Sequence, residues 1–185
     1  MKYLIVGLGN IGPEYADTRH NIGFMIADAL AKQAQASFHN MRLAYYTELS
    51  HKGQKIHLIK PTTYMNLSGK AVNYWMHELK IPVENILVVV DDLALPFGTI
   101  RLKPKSNAGH NGLKHIEAIL GSTNYSRLRF GIGDNFPKGR QADYVLSGFD
   151  EDEQLALPAL IDQSVEMVQT LVSVGVELTM TRFNK

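Results

Sequence analysis

The sequence predicts a single-domain α/β fold: a mixed, mostly parallel sheet with helices on both faces. Three observations predict it. The chain has 185 residues, near the ~100–200 residues typical of one domain, enough to bury roughly 70% of the unfolded surface without a staple. Tyr3-Leu4-Ile5-Val6 and Ile86-Leu87-Val88-Val89-Val90 are unbroken apolar runs rich in β-branched residues, the pattern of strands covered on both faces. Between and after them lie amphipathic stripes with helical spacing.

The elements follow in order. After the first strand, Ile22, Met25, Ile26, Ala29 and Leu30 form an i, i+3, i+4, i+7, i+8 stripe, which predicts a helix. Weaker strands are expected near 42–50 and 55–60, joined by the turn signal His51-Lys52-Gly53-Gln54. Ala71, Val72, Trp75, Met76 and Leu79 make a second helical stripe, with Pro82 beyond its end. Further strands are expected over 99–104 and 127–132, and a third helix from Asn111 to Gly121. Asp150, with Glu153 three residues on, predicts the capped start of a long last helix through Val172. Pro158 inside it would kink the helix or split off a short first piece.

Composition removes several chemistries. There is no cysteine, so a thiolate nucleophile, a Cys-based zinc site and a disulfide framework are excluded. Four apolar residues before Gly7 are too few for a signal-peptide core, and nothing approaches the ~20 of a membrane span. A soluble cytoplasmic protein is expected. Net charge is +1, but residues 101–140 hold eight Lys/Arg against two acids, and residues 141–185 hold two against eight. A basic segment of this strength suits a polyanion, or is simply a solvated face.

Four polar stretches each follow a predicted strand: Gly9-Asn10 leading to Thr18-Arg19-His20-Asn21, Tyr64-Met65-Asn66, Val90-Asp91-Asp92, and Gly109-His110-Asn111-Gly112. In an open α/β sheet ligands bind beyond the carboxyl ends of the strands, so these stretches are expected to converge. His20 is a candidate general base, because a large neutral fraction of imidazole exists at cell pH; its plainer reading is a helix cap. Asp91 follows five apolar residues, where a carboxylate is costly without a partner. It either orients the imidazole or accepts backbone N–H groups in the turn before Pro96-Phe97-Gly98. Asp92 is expected to be solvated. Asn10, Asn66 and Asn111 can donate to a developing oxyanion or serve as turn and cap residues. Lys103 with Lys105, and Arg127 with Arg129, alternate on strand-like segments, as a phosphate clamp or as solvent-facing charge.

Gly7-Leu8-Gly9-Asn10-Ile11-Gly12 spells G-x-G-x-x-G, but Pro13-Glu14-Tyr15 follows where a dinucleotide site needs a helix to open. The expected acid about 20 residues on is also missing. The glycines are expected instead to let the backbone turn tightly beside a substrate. There is no nucleophile elbow, P-loop or H-E-x-x-H, and His110 and His115 are spaced poorly for one helical face. No cofactor and no metal are expected.

These motifs together resemble the bacterial peptidyl-tRNA hydrolase family. The resemblance rests on Leu4 to Tyr15, on Thr18-Arg19-His20-Asn21-Ile22-Gly23, and on Lys60 to Gly69. Asp91-Asp92-Leu93 with Leu95-Pro96-Phe97-Gly98, Gly109 to Lys114, Arg127 to Gly133, Tyr144-Val145-Leu146 and Phe149 extend it along the whole chain. It implies one α/β domain with a twisted mixed sheet, monomeric and metal-independent. The implied activity is cleavage of the ester between a peptide and the 3′-terminal ribose of tRNA. It further implies His20 as general base, Asp91 as its orienting carboxylate, and Asn10 and Asn66 as groups that position the ester and peptide. Met65 would line the pocket, Asn111 would hold the water or the 3′ end, and Tyr15 would lie against the tRNA terminus. Lys103, Lys105 and Arg129 would grip tRNA phosphates. The chain departs from the family pattern at Asp134-Asn135-Phe136-Pro137, at Val90, and at Lys105-Ser106-Asn107-Ala108.

Overall fold

The two apolar runs lie side by side at the centre of one seven-stranded sheet in the computed structural model, which describes residues 1–104, 107 and 109–184. The strands are β1 (Lys2–Gly7), β2 (His39–Met41), β3 (Ala44–His51), β4 (Gln54–Pro61), β5 (Ile86–Asp92), β6 (Ile100–Pro104) and β7 (Ser126–Gly131). Their spatial order is β2-β3-β4-β1-β5-β7-β6. The four central strands β4, β1, β5 and β7 are mutually parallel, and β2, β3 and β6 join antiparallel at the edges.

Period-two alternation splits the central strands between two cores. Ile5, Leu87 and Val89 face α1 (Ile22–Gln33) and α5 (Glu151–Val174). Leu4, Val6, Val88 and Val90 face α2 (Ser68–Glu78) and α3 (Asn111–Leu120). Helices therefore cover both faces, as expected. The capping box at Asp150 and Glu153 is present, and α5 runs through Pro158 as one helix, so of the two expected effects of this proline the split does not occur. No helix among the described residues is long and apolar enough to cross a membrane.

Three elements go beyond the sequence expectation: β2, α4 (Gln141–Val145) and α6 (Val176–Phe183). The first two are too short to carry a period. Gly175, at φ 91°, breaks the chain between α5 and α6. Just beyond α6, the Asn184 side chain accepts from Leu102 N–H (3.0 Å) and donates to Leu102 C=O (2.7 Å), imitating a strand partner along the edge of β6.

Chain connectivity fixes where a ligand can sit. From β1 the chain leads to β4 on one side, and from β5 it leads to β7 on the other. The crevice beyond the carboxyl ends of β1 and β5 is thus a topological switch point. The start of α1 is pressed directly onto this point. A Cβ on Gly23 would lie 2.5 Å from the backbone of Leu8, and one on Gly7 would lie 2.3 Å from the Gly23 carbonyl oxygen. Only glycine at both positions permits that approach, which carries the residues before α1 over the crevice.

Candidate active site

A cavity of about 570 Å³ opens at the switch point. His20 reaches it from a single 3₁₀ turn, Arg19–Asn21, between β1 and α1. Asp91 comes from the end of β5, and His110 from the residue preceding α3. The strand-end stretches do converge, and the carboxylate is their centre. Asp91 is 4% exposed. Its Oδ2 lies 2.8 Å from His20 Nδ1 and its Oδ1 lies 2.9 Å from His110 Nε2.

The two imidazoles are held differently. His110 Nδ1 accepts the N–H groups of Gly112 (3.0 Å) and Leu113 (3.4 Å) at the start of α3. That nitrogen therefore carries no hydrogen, and Nε2–H donates to Asp91. His20 donates Nδ1–H to Asp91, which leaves the Nε2 lone pair for the cavity. Burial alone would push the Asp91 carboxyl up; the two imidazoles and their hydrogen bonds outweigh it and hold Asp91 well below the usual carboxylate range. Burial alone would pull His20 down; the Asp91 charge and hydrogen bond outweigh it and raise His20 above 6.5.

The ligating atoms of His20, Asp91 and His110 lie within 4.8 Å of one another, a grouping that a metal could use. The hydrogen-bond pattern does not fit one. A cation on His110 Nε2 would require the proton on Nδ1, where two backbone N–H groups already point.

Asn10 is fixed before any substrate arrives. Its Oδ1 accepts Met65 N–H (2.8 Å), its backbone N–H donates to Asn21 Oδ1 (2.9 Å), and its carbonyl accepts Asn21 Nδ2 (2.8 Å). The Asn10 Nδ2 donor is what remains for the cavity. Met65, Asn66 and Asn111 also line it, with Met65 buried and the two amides at its exposed rim. Tyr64 and Leu93, with Ala142 and Val145 of α4 and Leu146 just after it, add to the lining.

Other expected site residues are placed differently. Tyr15 ends the short 3₁₀ helix Pro13–Tyr15 and is not among the cavity-lining residues. Lys103 is exposed on β6, while Lys105 lies outside the described residues. Arg129 lines the cavity but is only 3% exposed and faces Asp92 Oδ2 at 3.4 Å. Asp92, expected to be solvated, is buried and also accepts Ala94 N–H (2.9 Å). Arg127, expected beside Arg129 as an exposed clamp, is 0% exposed. It pairs with Glu117 Oε1 (2.9 Å) and stacks on Tyr125 (3.8 Å to the ring centroid). The cause is placement. β7 lies between β5 and β6, so its side chains enter the two covered faces and need partners there.

The sequence places His110 and Asn21 in two of the converging stretches but assigns neither a role; the structure bonds His110 to Asp91 and Asn21 to the backbone of Asn10. Capping of the third helix is one of the two readings open for Asn111 in the sequence; the N-cap is His110. The signal available was Asp91 itself: a buried carboxylate has two oxygens to satisfy, and one histidine satisfies only one.

A sequence profile of the family described as peptidyl-tRNA hydrolase matches residues 4–185. The chain is 56% identical over 186 residues to a peptidyl-tRNA hydrolase of Bacteroides fragilis, covering all of both chains. It is 55% identical over 185 residues to one of Cytophaga hutchinsonii, covering 100% of this chain and 98% of that one. Among solved structures, the peptidyl-tRNA hydrolase of Acinetobacter baumannii superposes with a TM-score of 0.93 at 37% identity, covering 98% of this chain and 94% of that one.

Proposed function

We propose a mechanism for this chain, which belongs to the peptidyl-tRNA hydrolase family and hydrolytically releases tRNA from peptidyl-tRNA. His20 Nε2 takes a proton from a water molecule as that water attacks the ester carbonyl. Asp91 holds Nδ1–H and so stabilises the imidazolium that forms. Negative charge gathers on the former carbonyl oxygen, within reach of the Asn10 Nδ2 donor. When the tetrahedral species collapses, the imidazolium returns its proton to the departing ribose oxygen, and His20 is neutral again. The products are the free peptide carboxyl and the tRNA 3′ hydroxyl, so no covalent enzyme intermediate is needed.

His110 is a fixed donor in this scheme. Its second nitrogen is spent on the α3 amides, so it orients Asp91 and does not exchange protons with the substrate. Asn66 and Asn111 at the rim hold the peptide backbone, the water or the tRNA 3′ end. Lys103 on β6, with Lys105, meets tRNA phosphates. Arg129, paired with Asp92 in the cavity wall, contributes positive potential to the cavity rather than an exposed grip. Tyr15 lies against the tRNA terminus, outside the cavity.

One observation carries the reading: two imidazoles share a single buried carboxylate, and only one of them keeps a nitrogen for the cavity. The test is release of free tRNA from N-acetylated aminoacyl-tRNA, with unblocked aminoacyl-tRNA as control. The wild-type chain is expected to cleave the blocked substrate and spare the control, and His20→Ala is expected to bind tRNA without cleaving it. Wild-type turnover in His20→Ala would refute the general-base role.

A further inference from the structure

The 3₁₀ turn that carries His20 is tied down from both sides. On one side Asn21, 1% exposed, clamps the backbone of Asn10. On the other, Arg19 reaches away from the cavity into the junction between α4 and α5. The residue is 7% exposed overall. One guanidinium nitrogen, Nη1, donates to the Gly148 carbonyl (2.7 Å) and to Ser147 Oγ. The other, Nη2, meets Glu153 Oε1 at 2.9 Å. Its plane lies over the Tyr144 ring, 4.2 Å from the centroid, with Phe149 at 5.7 Å. The Arg19 backbone N–H donates to the Ser147 carbonyl (2.9 Å), and Thr18 bridges Gly148.

Each contact leads to something the cavity depends on. Tyr144 belongs to α4, whose Ala142 and Val145 line the cavity, with Leu146 just after it. The Tyr144 hydroxyl is bonded to the Ile132 carbonyl (2.6 Å), which fixes α4 to the end of β7. Glu153 Oε1 also accepts Asp150 N–H (3.0 Å) in the α5 capping box. One carboxylate thus serves both the helix cap and Arg19. His20 and the apolar α4 wall are neighbours in space but 122 or more residues apart in sequence, between His20 and Ala142. Arg19 is the side chain that bridges them. A lysine could keep the charge opposite Glu153. It could not reach Gly148, Ser147 and Glu153 together while stacking on Tyr144, because that needs a planar fork.

We propose that Arg19 is a positioning residue: through its turn it sets the place of His20 relative to the α4 wall, so that the ester entering between them meets the base in attack geometry. This rests on the reading of His20 as the base. A small misplacement at such a distance from the chemistry is enough to slow the reaction strongly.

The test is steady-state cleavage of N-acetylated aminoacyl-tRNA across pH by wild type, Arg19→Lys, Arg19→Ala and Glu153→Gln. His20→Ala is run in parallel, and folding is checked by circular dichroism. Arg19→Ala is expected to lower kcat by about tenfold to a hundredfold with KM nearly unchanged. Its acidic limb should move to lower pH, because His20 meets Asp91 less closely. Arg19→Lys and Glu153→Gln should shift both readouts in the same direction by less. Lower melting temperatures with wild-type kcat and an unmoved limb would overturn the proposal, as would a raised KM at constant kcat. If Arg19→Ala does not fold, the two milder variants decide by the same readouts. An inactive His20→Ala beside normal Arg19 variants refutes the positioning role alone. Wild-type turnover in His20→Ala refutes the underlying mechanism.

Discussion

The β1–β5 crevice and the β6–β7 edge both hold charged side chains at strand positions, yet the fold uses them in opposite ways. In the crevice, Asp91 takes one imidazole on each oxygen, the α3 amides take the second nitrogen of His110, and one lone pair, on His20 Nε2, is left over. At the edge, Arg127 is withdrawn from solvent and paired with Glu117, and Arg129 is buried against Asp92 where β7 meets the cavity wall, while Lys103 on the outermost strand stays exposed. The difference teaches that a charge on a strand has no function until the strand's neighbours are known. The same guanidinium is a surface grip on an edge strand and a packed structural ion on an inner one.

The sharpest way to break this comparison is His20→Ala. It is expected to lower kcat by about 10²–10⁴ with tRNA affinity retained, read by single-turnover cleavage and a separate binding assay. A comparable loss of affinity would merge the two regions into one. Arg127→Met should act on stability instead. Removing one partner of a buried pair costs about 3–5 kcal/mol, here nearer the lower end because Glu117 can reach water, and a thermal melt reads it. A matching loss of tRNA affinity without a lower melting temperature would return Arg127 to the clamp. The smallest effect is expected from Lys103→Ala. Salt dependence of tRNA binding should flatten by about one counterion, with kcat unchanged.

Much of this was legible in the sequence. The unbroken runs of β1 and β5 and the stripes of α1, α2, α3 and α5 specify the two-sided sheet, because a strand buried on both faces and a helix buried on one have different periods. Asp91 was legible as a carboxylate in need of a partner because it ends an apolar run, and His20 as one of the partners it could take; a helix cap and a backbone turn stayed open as the plainer readings. What was not legible depended on long-range placement. α4 is five residues long, too short for a stripe, yet it walls the cavity. Arg127 and Arg129 looked solvent-facing because nothing local reveals that β6 pairs outside β7. His110 was hidden by its neighbour: Asn111 is the commoner cap, and only the orientation of Asp91 distinguishes them. Nothing local marks Arg19 as an anchor, because its partners lie more than a hundred residues away, on Ser147, Gly148 and Glu153.

The coupling of His20 to Asp91 is tested most directly by the acidic limb of the pH–kcat/KM profile, which reports the free enzyme, in wild type and Asp91→Asn. The base must be neutral to act, so the rate climbs with pH through the His20 pKa. In wild type the carboxylate raises that pKa, which places the limb above 6.5. In Asp91→Asn burial is no longer opposed, so the limb should move below 6.5 while the plateau falls. A limb at the same pH in both proteins would contradict the account.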